Sequence, residues 1–136
     1  MDAAQALADL TEISSQIEAA VLFDGEGGVQ GSTLADESAA RALATAAGAL
    51  LESATHFRTG GGEVRQLEVS THEGSVFVVC DGERRIAAVT GSDPTAGLVF
   101  YDLKSCLRGA AAEPAKPRRR RRPAADSGEE KGDGEA

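Results

Sequence analysis

Two histidines, two cysteines, a glycine-rich turn and a run of five arginines are the residues of this 136-residue chain whose types invite chemistry. His56 and His72 are the only histidines, and neither stands in a recognisable arrangement with a serine or cysteine nucleophile and a carboxylate. Cys80 and Cys106 have no Cys-x-x-Cys spacing, which excludes zinc-ribbon and thioredoxin-like motifs and leaves both as small core hydrophobes in a reducing, cytoplasmic compartment. Two histidines without paired cysteines are a poor metal set. The chain is therefore expected to carry no catalytic residue, no cofactor and no metal, and not to be an enzyme.

The glycine cluster Asp24-Gly25-Glu26-Gly27-Gly28 resembles a phosphate cradle in composition. A cradle requires a strand that enters a helix, so that free backbone N–H groups point at the anion. This loop joins one apolar run to another, so it reads as a hairpin turn. Arg41 is a second candidate, as an arginine finger, but fingers act from a well-positioned loop. A mid-helix arginine four residues after Glu37 is expected to form a surface ion pair instead.

Arg118, Arg119, Arg120, Arg121 and Arg122 stand between Pro117 and Pro123. Residues 1–113 carry 7 Lys/Arg against 17 Asp/Glu, a net of −10, whereas residues 114–136 carry 7 against 5, a net of +2. The acidic part repels nucleic acid and anionic membranes. Only the tail offers them a cationic surface, and an interaction through it would weaken steeply with salt. No aromatic residue interleaves the arginines, so base stacking has no support. A tether to an acidic partner, or to nucleic acid, is the alternative function that this tail suggests; contact with the chain's own acidic part is the other.

The elements that must position these residues follow from hydrophobic periodicity. Ala3, Leu7, Leu10, Ile13 and Ile17 step by three and four, predicting a first helix from Asp2 to about Ser15. Ala19 to Phe23 and Val29 to Thr33 predict a hairpin. Asp36 is a helix N-cap, followed by a helix to about Phe57 with a core stripe at Leu43, Ala47, Leu50, Ala54 and Phe57. Its other face, Ala39, Ala42, Ala46, Ala49 and Ser53, is smooth enough for another helix to approach closely. Gly60 to Gly62 connect to a strand over Val64–Ser70, with Gln66, Glu68 and Ser70 on its polar face. Val76–Cys80 is apolar on both faces and Arg85–Thr90 returns from an Asp81-Gly82 turn. Asp93 and Pro94 open a last helix that ends near Gly109. The N-terminus is acidic and amphipathic, so no signal peptide is expected, and no apolar run is long enough for a membrane span. One domain over residues 1–110 and a disordered tail over 111–136 result.

This αββαβββα order, with Ala20–Gly27 (AVLFDGEG), the triple glycine before Val64-Arg65-Gln66, and the helix after Ser92-Asp93-Pro94, resembles the roadblock family in its short bacterial form. The resemblance implies an α+β, profilin-like fold with a five-stranded antiparallel sheet and helices on both faces. It also implies a homodimer in which second helices pack together and third strands pair across a two-fold axis. Ala39, Ala42, Ala46, Ala49, Gln66 and Glu68 are the expected interface. Family members commonly bind small Ras-like GTPases as regulators or scaffolds. Glu37, Arg41, Thr45 and Glu52, with the five tail arginines, are the candidate partner contacts.

Overall fold

The computed structural model describes residues 2–57 and 64–111. The triple glycine and the tail with Arg118 to Arg122 lie outside the described residues. The elements are α1 (Ala3–Ile13), β1 (Ile17–Asp24), β2 (Val29–Ser32), α2 (Glu37–Ala54), a 3-10 turn (Thr55–Phe57), β3 (Gln66–Ser70), β4 (Ser75–Asp81), β5 (Arg84–Thr90) and α3 (Ala96–Ala111). The strands form one antiparallel sheet in the order β2-β1-β5-β4-β3. The expected α+β architecture is thus the one observed.

Alternation along the strands divides the core into two. Ala20, Leu22, Phe77, Val79, Ile86 and Ala88 face α1 and α3, meeting Leu7, Leu10, Val99, Leu103 and Leu107. Phe77 stacks edge-on against Phe100 with ring centroids 5.0 Å apart. Val21, Phe23, Val78 and Ala87 face the opposite way, toward Ala40, Ala44, Ala47 and Leu51 of α2. Cys106 belongs to the first cluster, where its thiol donates to the Ala6 carbonyl oxygen at 3.4 Å and burial pushes its pKa up to about 11.

Local chemistry sets the element ends. Asp2 caps α1 by accepting from the Gln5 N–H at 2.8 Å, and Asp36 caps α2 by accepting from the Ser38 N–H at 2.9 Å. Gly82 takes the positive φ of 65° that a two-residue hairpin loop requires at its first position. Thr71 closes the β3–β4 loop: its hydroxyl donates to the Gly74 carbonyl oxygen and accepts from the Glu73 and Gly74 N–H groups.

Four sequence expectations are corrected. First, α1 stops at Ile13, which is exposed, because Ser14 turns extended and Ile17 already belongs to β1. Second, β3 is shorter than expected: Val64 and Arg65 precede it, although the Arg65 carbonyl oxygen accepts from the Cys80 N–H at 2.8 Å. Third, Asp93 and Pro94 do not open α3. Asp93 adopts a left-handed φ of 63°, which Asp tolerates, and the helix is initiated at Thr95, whose carbonyl accepts from the Leu98 and Val99 N–H groups. It then continues past Gly109 to Ala111. Fourth, α2 is rotated about its axis relative to the expected stripe. Ala40, Ala44, Ala47 and Leu51 face the sheet, Leu50 is half-buried, and Phe57 is 82% exposed.

The Phe77 ring is fully buried between β4 and α3. Phe77→Ala removes that ring and its partner for Phe100, and is expected to lower unfolding free energy by about 3–5 kcal/mol in urea titration.

Candidate interaction surface

A strand at the end of a sheet has one row of backbone donors and acceptors without strand partners. Of the two edges, β2 is contacted by α1 and α2, and its Gly31 sits so close to Leu7 and Ala3 that a Cβ there would press on both. The other edge, β3, packs chiefly on its neighbour β4. Every residue of β3 other than Leu67 is exposed, including Val69 at 37%. The registers Leu67↔Val78 and Val69↔Val76 place Leu67 and Val69 on the α2 side of the sheet. Alternation then puts Gln66 and Glu68 on the side of α1 and α3, where both are exposed.

On α2 itself, about 3.6 residues per turn separates two outward flanks. One carries Ala39, Ala46 and Leu50, with Leu43 on its core-facing margin and Phe57 of the 3-10 turn just beyond its end. Ala42, Ala46 and Ala49 are exposed, and Ala39, Leu43 and Leu50 are half-buried. The small residues singled out in the sequence therefore do stand outside the monomer's core, accompanied by three larger apolar side chains that the expected rotation of the helix had assigned inward. The signal that locates these is the burial of Ala40 and Ala44, which fixes the rotation of the helix.

The second flank carries Glu37, Arg41, Thr45 and Glu52, all exposed. Among the described residues Glu37 and Arg41 form no ion pair, contrary to the expectation. Two long, solvated side chains gain little from pairing in water. Thr45 and Glu52 line a groove of about 720 Å³ between α2 and the two hairpin turns, with Asp24, Glu26 and Glu83 also on its walls. Glu37 and Arg41 do not reach it. Arg85 also lines this groove, and its Nε is buried without a hydrogen-bond partner among the described residues.

The glycine cluster is a hairpin turn, as its sequence context suggested, and most of its donors are already taken. The Asp24 carboxylate accepts from the Gly28 N–H at 2.8 Å and from the Glu26 N–H at 2.9 Å. The Gly27 N–H donates to the Asp24 carbonyl oxygen at 3.0 Å. A loop whose own carboxylate engages its N–H groups has few left for a phosphate. The same bonds, that from Gly28 foremost, hold the Asp24 pKa below its ordinary 3.8. His56 and His72 are both exposed. Among the described residues, no group of three or more His, Cys, Asp or Glu side chains is arranged to hold a metal ion, and no helix is long and apolar enough to cross a membrane.

The family profile of the Roadblock/LC7 domain matches residues 4–90, and the chain belongs to that family. Its fold is similar to that of a Roadblock/LC7 domain from Streptomyces avermitilis, at 23% identity and a TM-score of 0.73 over 82% of this chain and 96% of that one. It is also similar to the gliding protein MglB from Thermus thermophilus, at 17% identity and a TM-score of 0.61 over 80% and 85% of the two chains. MglC from Myxococcus xanthus aligns at 14% identity and a TM-score of 0.52, over 79% and 98%. No curated protein matches the chain by sequence.

A carboxylate whose folded-state pKa is lowered stabilises the fold above its unfolded value and loses that contribution as pH falls through the folded value. Asp24→Asn is therefore expected to be less stable than the parent near neutrality. The gap should close as pH is lowered through 3.8 and below, which urea unfolding at stepped pH would read.

Proposed function

We propose that this chain is a homodimeric, non-enzymatic regulator or scaffold that binds a small Ras-like GTPase in the cytoplasm, as a signalling adaptor or by promoting GTP hydrolysis. The observation that carries the reading is the uncovered β3 edge together with the apolar outer flank of α2. Pairing two β3 edges about a two-fold axis would satisfy both rows of backbone groups and extend the sheet. The same operation brings Leu67, Val69, Ala46 and Leu50 of each copy toward their equivalents. In this arrangement Gln66 and Glu68 contribute backbone pairing at the seam, and their side chains remain on the opposite face. MglB, a fold neighbour, has been described in a tetrameric arrangement, in keeping with a fold that self-associates.

The paired second helices then form a platform whose exposed rim is Glu37, Arg41, Thr45 and Glu52. Binding of a GTPase through such helices needs no residue of this chain at the phosphates. Arg41 is assigned to contact, and catalytic chemistry is left to the GTPase.

Ala46→Glu places a charge in the middle of the proposed helix pair, where separation from water makes it costly. Light scattering should read a dimer for the parent and a monomer for the variant; a variant that remains dimeric rejects this interface. Binding to a Ras-like GTPase loaded with GDP or a GTP analogue should be retained by the parent and weakened at least tenfold in the monomeric variant. Equal capture by both would remove the paired helices as the platform.

A further inference from the structure

The side of the sheet opposite α2 carries a groove that the proposed dimer leaves open. It runs between α1 and α3, with Ala6, Leu10, Ile13 and Cys106 on its floor and walls and a volume of about 430 Å³. Ile13 is 63% exposed at its far end. Three carboxylates line it: Asp9, Glu12 and Asp102. Asp102 is only 6% exposed, and among the described residues it has neither a hydrogen bond nor an ion pair. Asp9 accepts one hydrogen bond, from the Gln5 amide at 3.0 Å, and Glu12 none. The Asp102 carboxylate is thus left to the water of the groove, and a guanidinium is the group whose geometry would pair with it.

We infer that the α1–α3 groove is the docking site of this chain's own pentaarginine segment, Arg118 to Arg122. Charge complementarity is the first argument, because the tail holds the one basic run of the chain, and the groove sets three carboxylates against one neighbouring cation, Arg108, whose guanidinium donates to the Ser105 hydroxyl at 3.4 Å. Shape is the second. Arginine lays its aliphatic stem on apolar surface and presents a planar guanidinium to a carboxylate, and the groove offers both an apolar floor and a carboxylate rim.

Reach is the third. The α1 and α3 helices run antiparallel, with Ala3 near Ala110 at one end and Ile13 near Asp102 at the other. The chain leaves α3 at Ala111, beside Gly109 at the near end of the groove. From Gly109 back to Asp102 is roughly 10 Å of helix axis. The seven residues from Ala111 to Arg118 span up to about 25 Å when extended, enough to double back along that length. The other acidic surface, at the hairpin turns, is a poorer receptor. Its Asp24 is already engaged by backbone N–H groups, and its remaining carboxylates, Glu26, Glu52 and Glu83, are exposed.

The test uses the full chain, isotopically labelled, and compares it by amide chemical shifts with a variant carrying Arg118→Ala, Arg119→Ala, Arg120→Ala, Arg121→Ala and Arg122→Ala. At low salt the differences within the folded part should cluster at Asp9, Glu12, Ile13, Asp102 and Ser105. They should vanish at about 0.5 M salt, where screening shortens to a few ångströms. Asp9→Lys with Glu12→Lys should abolish the perturbation at Asp102 and Ser105, whereas Glu26→Lys with Glu83→Lys should leave it intact. The proposal is overturned if the folded part shows no differences at low salt, or if they fall at the hairpin turns. It is equally overturned if labelled arginine-free chain acquires the perturbation on mixing with unlabelled parent, since the contact is then made by a second copy.

Discussion

The controlling constraint is geometric: one helix is too narrow to cover one face of a five-stranded sheet. Five strands at about 4.8 Å spacing are roughly 19 Å wide, whereas a helix with its side chains covers about 10 Å. Two helices, α1 and α3, share one face and cover it. On the other face α2 lies mainly over β2, β1 and β5, which leaves the β4–β3 margin with half-buried Val76 and Leu67, exposed Val69 and an open edge. Burial of that margin and satisfaction of that edge are what the monomer lacks, and the proposed symmetric contact would supply both.

The alanine content of α2 serves this geometry. Ala40, Ala44 and Ala47 allow the helix backbone to sit close on the sheet, so that Phe23 and Val21 fill the space beneath it. The larger side chains then flank the contact: Leu43 and Leu50 project beside it, and Phe57 lies beyond the helix end. An outer surface of small and apolar residues is thus the consequence of a close-packed inner one. On the opposite layer the fit is different in kind, with Leu7, Leu10, Val99 and Leu103 filling the space around Phe77 and Phe100.

Element order was legible because periods of two and of about 3.6 alternate clearly along the chain, whereas the five-stranded antiparallel sheet with helices on both faces followed from the family resemblance. The rotation of α2 was less so. With alanine at eight of its eighteen positions, hydrophobicity hardly distinguishes one face from another, and the choice falls to packing against β1 and β5. Gln66 and Glu68 illustrate a second limit: the polar alternation marks an edge strand correctly, but which of its faces adjoins α2 is decided by register with Val76 and Val78. The groove between α1 and α3 was invisible in sequence, because Asp9 and Asp102 stand far apart in the chain and only antiparallel helix packing brings them to one site. The Asx-type turn at Asp24 was legible as a turn, though the capture of its N–H groups by the carboxylate emerged only from the geometry.

Self-association through β3 and α2 is the claim on which the functional reading depends, and sedimentation equilibrium of the parent chain over a dilution series tests it most directly. The account predicts a mass twice the 13.9 kDa of one chain, held down to micromolar concentration. A mass of 13.9 kDa throughout that range would contradict it, because the open strand edge and apolar helix flank would then face water without a partner.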